Sequence, residues 1–217
     1  AQIFDRVRLV QMAKVNGDIM IRSILLEVGF VSFLFLGASF NDATLAANQI
    51  LIQFLSITVH ALDGFAFAAE TLVGQALGAK NRPLFRRAVV MTSKWGLGTV
   101  VLMALSFFVF GNSIINIMTT AEDVRTVSYE YLPWIVVAPI AGVAAWMLDG
   151  IFIGATRTAD MRNMMFISFC VYLIALAVLL PIYGNHGLWA SLIIFSIARG
   201  ITLGFKYPAL EASSGTN

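Results

Sequence analysis

Long hydrophobic runs alternate along this chain with short polar stretches in which the charged residues gather. Residues 95–121 and 163–198 contain no Asp, Glu, Lys or Arg, and each run is longer than the roughly 20 residues that a helix needs to cross a bilayer. The second run is long enough for two helices, with a turn predicted at 181–187. The pattern predicts six membrane helices, at about 17–40, 44–78, 87–118, 124–155, 163–183 and 187–207.

The composition is typical of a chain that meets mostly lipid. Hydrophobic residues make up 59% of the sequence and charged residues 12%, roughly half the charged fraction of a soluble domain. We therefore expect an all-α, polytopic membrane protein in which residues 1–217 form a single six-helix bundle without a soluble domain. The chain begins with Ala1 and not with Met, which suggests a fragment or a processed product.

The basic residues fall almost entirely on one side of the predicted membrane. When the connections between six helices are assigned alternately to the two faces, 13 of the 14 Lys and Arg residues lie on the face that holds both termini, and only Arg125 lies on the other. Because Lys and Arg accumulate on the cytoplasmic side, both termini are predicted to be cytoplasmic. Trp134 and Trp189 then lie near outer helix ends, where an aromatic belt is typical.

Four carboxylates stand inside the apolar segments: Glu27, Asp63, Glu70 and Asp149. An acid in a membrane segment is costly to ionise and is functional by default. Asp149 lies ~12 Å, and Glu27 ~8 Å, from the basic residues at the predicted cytoplasmic end of its helix. The two are expected at similar depth, where they would share an ion or a proton if their helices pack together. The alternatives are a hydrogen-bonded clamp between helices and a buried, protonated carboxyl without function.

One face of the second predicted helix is polar. At ~100° per residue, six residues fall on this face: Gln49, Ser56, His60, Asp63, Glu70 and Gly74. Because a polar face in lipid has to turn toward protein or a water-filled cavity, the stripe is a candidate cavity wall. His60 lies one helical turn before Asp63, where the two side chains could share a proton. Interhelical hydrogen bonding is the simpler alternative, and for the lone His60 it is the favoured one.

Arg199 and the run from Arg82 to Arg87 have interpretations simpler than a part in transport. Arg199 lies inside the last predicted helix, and we expect it to extend toward the cytoplasmic headgroups rather than to pair with an acid. The run from Arg82 to Arg87 would meet anionic headgroups, but a role in topology alone is the favoured interpretation.

The sequence excludes several kinds of chemistry. It contains no Gly-x-x-x-x-Gly-Lys-Ser/Thr phosphate loop, no His-Glu-x-x-His zinc motif and no Gly-x-Ser-x-Gly nucleophile elbow. An enzyme is therefore not expected. A buried carboxyl can carry a proton, and an ionised one can hold Na⁺ with other oxygen ligands, so both coupling ions stay open.

Two Asp-Gly segments carry a family resemblance. Residues 62–81 and 147–163, supported by 16–23 and 184–189, resemble the multidrug and toxic compound extrusion (MATE) family, and within it the DinF branch. Members have twelve helices in two six-helix bundles, and this chain is similar to the second bundle, the C-terminal lobe. The resemblance implies an N-terminal six-helix lobe as partner, and a bacterial inner membrane location.

The resemblance also implies a function. It predicts antiport, in which entry of H⁺ or Na⁺ drives efflux of an amphipathic organic substrate by alternating access, with no cofactor besides the coupling ion. Asp149 and Glu27 look like the helix-ten Asp and helix-seven Glu of the cation site in the NorM-type branch, which implies a Na⁺ or proton site. Ala145 stands where that branch has a Tyr. Asp63, His60, Glu70, Gln49 and Ser56 are the predicted lining of the substrate cavity.

Two alternatives belong to other functional classes. A non-transporting membrane scaffold or assembly module would keep its fold and partner binding without the acids. An intramembrane hydrolase would need an Asp pair within hydrogen-bond reach around a cleavable substrate, and no motif supports one.

Overall fold

The computed structural model describes residues 6–215, and within them it contains six helices long and apolar enough to cross a membrane. This confirms the predicted all-α architecture. Most of the helices are longer than the hydrophobic pattern indicates, since polar residues continue the helix beyond the apolar core of a span. The helices are α1 (Arg6–Gly37), α2 (Asp42–Gly78), α3 (Arg82–Met118), α4 (Glu122–Gly154), α5 (Thr158–Tyr183) and α6 (Asn185–Ser213).

Asparagine side chains begin two of the helices. The Asn41 side-chain oxygen accepts a hydrogen bond from the Thr44 amide at 2.7 Å, and the Asn81 side-chain oxygen accepts one from the Leu84 amide at 3.0 Å. Each bond satisfies an amide that would otherwise lack a partner in the first turn of the helix. Pro83 follows in the first turn of α3, where its missing N–H costs nothing. The connections between helices are therefore short and well defined.

Helix α4 lies at the centre of the bundle and packs most extensively against α2. Two glycines, Gly150 and Gly154, make this approach close, because a Cβ at either would overlap the backbone of Ala66 or Glu70 on α2. Small residues spaced four apart are a common way to bring membrane helices together. The segments that carry Asp63 and Asp149 are therefore held side by side.

Buried amides join α2 to α6 near the predicted outer end. Asn48 and Asn185 exchange two hydrogen bonds of 2.8 and 3.1 Å, and the Trp189 indole N–H donates to the Asn48 side-chain oxygen at 3.0 Å. All three residues are buried. The expectation that Trp189 belongs to an interfacial aromatic belt is therefore wrong, because this indole finds its hydrogen-bond partner inside the bundle.

Candidate functional site

Asp149 is bound by two arginines from two other helices. Its Oδ2 atom accepts a hydrogen bond from Arg22 of α1 and another, 2.6 Å long, from the Nη2 atom of Arg199 of α6. Asp149 and Arg199 are only 6% and 3% exposed, so both charges are removed from solvent and lipid alike. Such charges persist in an apolar environment only when they are paired. Arg22, Asp149 and Arg199 therefore form one buried ion cluster that ties together α1, α4 and α6.

The expectation that Arg199 extends toward the headgroups is wrong. Its guanidinium lies inside the bundle, next to Asp149 and 5.8 Å from the centre of the Phe195 ring. Gly200 permits this placement, because a Cβ at that position would lie 3.1 Å from the Cβ of Ala144 on α4. The close contact of α6 with α4 brings the arginine to the carboxylate, and pairing there outweighs extension to the membrane surface.

A cavity of about 250 Å³ opens beside this cluster, between α1, α2 and α4. We call it the acidic cavity, because Asp63, Glu70 and Asp149 line it together with Arg22. Leu26, Phe30 and Trp146 supply apolar walls. The stripe on α2 therefore contributes both of its acids to the same cavity as Asp149.

Glu27 lies in a different cavity from Asp149. A neighbouring cavity of about 300 Å³ is lined by Glu27, Ser56 and His60, and it shares only Phe30 and Val59 with the acidic cavity. We call it the Glu27 cavity. Helices α1 and α4 do not bring the two predicted ion-binding acids together, because α1 packs mainly against α5.

Of the other predicted lining residues, Ser56 and His60 both line the Glu27 cavity. The Nδ1 atom of His60 lies 2.6 Å from the backbone oxygen of Ser56, to which it donates when it carries the proton. His60 and Asp63 line separate cavities. The hydrogen bond between His60 and Ser56 lies within α2, so it is not the interhelical bond of the simpler alternative for His60. Gln49 is exposed and lines neither cavity.

The arrangement does not fit a Na⁺ ion shared by Asp149 and Glu27. Within residues 6–215 no group of three or more His, Cys, Asp or Glu residues is placed to hold a metal ion. The Asp149 Oδ2 atom is already bound by two guanidiniums, whose positive charges repel a cation. The individual roles of Asp149 and Glu27 in ion or proton binding stay predictions.

Sequence reasoning missed a second buried acid. Asp18 of α1 is 4% exposed and binds Arg162 of α5, and it accepts a 3.2 Å hydrogen bond from the Thr158 hydroxyl. Asp18 and Arg22 are four residues apart, which places both on one face of α1. That spacing is the signal that could have identified a polar face on α1. The two ion pairs together join α1 to the rest of the bundle.

Comparison with known proteins assigns the bundle to a class of membrane transporters. The MatE family model matches residues 19–179, and the chain belongs to this family, whose members are transporters and not enzymes. It is 35% identical over 193 residues to DNA damage-inducible protein F of Escherichia coli K12, a match that covers 89% of this chain and 42% of that protein. It is 28% identical over 196 residues to a probable multidrug resistance protein NorM of Pseudomonas syringae, covering 83% and 42%.

The fold matches half of a solved transporter. The bent form of the Vibrio cholerae MATE transporter VcmN superposes with a TM-score of 0.87 at 20% identity, covering 99% of this chain and 49% of that one. A mutant of the same transporter gives a TM-score of 0.86 at 21% identity, covering 96% and 48%. The chain thus spans less than half of the length of each of these relatives. This agrees with the expectation of a single six-helix lobe.

Proposed function

We propose that this chain is the C-terminal lobe of a cation-coupled efflux antiporter that works by alternating access. Its partner would be a six-helix N-terminal lobe, and its substrate an amphipathic organic molecule, as expected for relatives that include a probable multidrug resistance protein. The lobe would lie in a bacterial inner membrane with both termini cytoplasmic, as its basic residues predict.

The charge balance of the acidic cavity is the observation that carries this proposal. Asp63, Glu70 and Asp149 contribute three negative charges when ionised. Arg22, which lines the cavity, and Arg199, which is paired with Asp149 behind it, contribute two positive ones, which leaves a net charge of −1. An unbalanced charge in an apolar environment is costly. One proton or one monovalent cation neutralises the cavity, and a cationic substrate group would do the same.

Exchange between these cations would couple transport to the ion gradient. Only one positive charge is needed for neutrality, so the coupling cation and a cationic substrate compete for the same cavity. Each cation would occupy the cavity from the side of the membrane on which its concentration is higher. The two six-helix bundles of the transporter would reorient with one of the cations bound. In this scheme Asp149 holds Arg22 and Arg199 in place, while Asp63 and Glu70 provide the negative charge that the cation balances.

The test is efflux from vesicles that contain the full-length transporter, driven by an imposed pH gradient or Na⁺ gradient. Wild-type protein is expected to expel a cationic dye when one of the two gradients is applied. Glu70→Gln makes the cavity neutral without breaking an ion pair, so we expect the protein to insert normally and to lose gradient-driven efflux. Asp149→Asn is expected to lose it as well.

Asp123→Asn is the matched control, because it removes an exposed acid from the first turn of α4, outside both cavities. It is expected to keep gradient-driven efflux. Undiminished efflux in Glu70→Gln at normal protein levels would overturn the coupling role of the acidic cavity. Absence of gradient-driven efflux from the wild-type transporter for a panel of amphipathic cations would favour the scaffold alternative.

A further inference from the structure

An apolar groove runs along the outside of the bundle and shares no lining residue with the two cavities described above. It lies between α3 and α6 over the surface of α4, and it has a volume of about 410 Å³. Helices α3 and α6 contact each other only slightly, which leaves the groove open. Its lining is almost entirely hydrophobic, with Val89 and Leu97 from α3, Val143 and Met147 from α4, and Gly204 and Tyr207 from α6.

A basic pocket lies at the end of this groove nearest the predicted cytoplasmic surface. It has a volume of about 670 Å³ and is lined by Arg82, Arg86, Arg87 and Glu211. Arg82 donates a 3.4 Å hydrogen bond to Glu211, whereas Arg86 and Arg87 make no ion pair within residues 6–215. The pocket therefore presents at least two guanidiniums without a counter-anion.

The groove and the pocket follow one another along the same helices. Val90 lines the pocket and its neighbour Val89 lines the groove, and on α6 Glu211 follows Tyr207 by one turn. From Arg86 to Leu97 the rise along α3 is ~16 Å. A site with this profile has a cationic end at the membrane surface and an apolar channel that extends into the bilayer.

We propose that the basic pocket and the groove together bind an anionic phospholipid. The headgroup phosphate would lie on Arg86 and Arg87, and one acyl chain would lie along the groove over α4. A free phosphate ion would use the pocket without the groove. A zwitterionic lipid would gain less from two guanidiniums than a lipid with net negative charge.

The first experiment tests whether the basic pocket binds the headgroup. Phosphatidylglycerol or phosphatidylcholine is titrated into the purified full-length transporter in non-ionic detergent, and native mass spectrometry counts the bound lipids. Wild-type protein is expected to prefer phosphatidylglycerol. Arg86→Gln/Arg87→Gln should weaken its binding by about thirtyfold and remove the preference, on the basis of the attraction of each basic residue for an anionic surface. Arg6→Gln/Lys14→Gln removes two exposed charges from the same membrane face and should bind as wild type.

The second experiment tests whether the groove binds the acyl chain, by filling the groove with a larger side chain. Gly204 lines it, and a Cβ added there meets no atom within 4 Å, so Gly204→Leu projects a side chain into the groove without a clash at the Cβ. We expect at least an approximately tenfold loss of lipid affinity, the effect of about 1.4 kcal/mol. Gly98→Leu is the control, because Gly98 on α3 is equally open and lies outside the groove.

Three results would overturn the proposal. Equal binding of the anionic and the zwitterionic lipid by the wild type would remove the headgroup assignment. Equal binding of phosphatidylglycerol by Gly204→Leu and Gly98→Leu would remove the acyl-chain assignment. Displacement of the lipid by inorganic phosphate at comparable concentration would identify the pocket as a simple phosphate site. Because these measurements need no transport, they stand apart from the test of the antiport function.

Discussion

At Asp149 one carboxylate is shared by two guanidiniums. The residue therefore both joins three helices and balances buried positive charge. Arg22 reaches it from α1 and Arg199 from α6, across 127 and 50 residues of sequence. The Nε atoms of both arginines are buried and make no hydrogen bond within the described part of the chain. The cluster is therefore incompletely satisfied even with Asp149 present, and it depends strongly on that one acid.

Loss of the Asp149 charge is expected to destabilise the bundle. Asp149→Asn removes the one carboxylate to which both guanidiniums are bonded within residues 6–215, and breaking a buried pair in this way costs about 3–5 kcal/mol. Arg22→Gln/Asp149→Asn, which also removes one of the two guanidiniums that lose their bonded carboxylate, should recover part of that loss. The measurement is unfolding of the purified protein by denaturant, with Asp63→Asn as the control that breaks no ion pair. A double variant less stable than Asp149→Asn would contradict this account.

Removing one member of the buried amide cluster near the predicted outer end of the bundle should also destabilise the protein. Asn48→Leu removes both hydrogen bonds to Asn185 and the acceptor of the Trp189 indole N–H, at a cost of about 1–3 kcal/mol for each group left unsatisfied. The adjacent Gln49→Leu removes an exposed amide and should change stability little. Thermal unfolding of the two variants side by side measures the difference. Equal melting temperatures would show that the amide cluster contributes nothing.

The sequence identified individual residues better than it identified their partners. Asp149 stands out because an acid in an apolar span is rare, and that signal is local. Its pairing with Arg22 and Arg199 depends on which helices become neighbours, and helical periodicity indicates only which residues share a face. For the same reason the sequence predicts that Glu27 and Asp149 lie at similar depth but not whether their helices pack together, and the packing of α1 places Glu27 in the Glu27 cavity.

At the scale of the helices, the contact between α2 and α4 positions the acidic cavity. The sequence predicts all six helices, because the length of an apolar run and the spacing of charged connections are local properties. It does not predict that α4 lies at the centre. That placement follows from Gly150 and Gly154, whose missing side chains let the backbone of α2 approach.

A larger residue at this contact should separate the helices. In Gly150→Val the new Cβ would overlap the backbone of Ala66, and overpacking of this kind costs about 1–3 kcal/mol or more. Gly64→Val makes the same chemical change on α2, where an added Cβ meets nothing within 4 Å. The first variant should unfold more readily and the second should not. If both are equally stable, close packing of α2 on α4 does not position the cavity.

At the scale of the whole molecule, the chain has the organisation of one half of a transporter. Its basic residues lie on one face, and its two inner cavities involve α1 and α2 rather than the α3–α6 surface. The solved relatives are about twice as long as this chain. The other half is expected to cover the cavity side, and the opposite side is then free to meet lipid.

The distribution of basic residues predicts the orientation in the membrane. In a Cys170→Ser background, Ser39→Cys lies in the connection between α1 and α2 and should be external, whereas Ala79→Cys lies between α2 and α3 and should be internal. In intact cells a membrane-impermeant thiol reagent is expected to label the first and not the second. The reverse labelling pattern would place both termini outside and refute the assignment.

The most direct test of the central claim is to count the cations that substrate displaces from the acidic cavity. A cationic dye is added to the purified full-length transporter in weakly buffered solution, while a pH indicator follows released protons and radioactive Na⁺ follows released sodium. The net charge of −1 predicts that each bound dye displaces about one proton or one Na⁺. Asp63→Asn/Glu70→Gln should displace none, and Asp123→Asn should match the wild type. Dye binding that displaces neither cation, or full displacement in the double variant, would contradict the account.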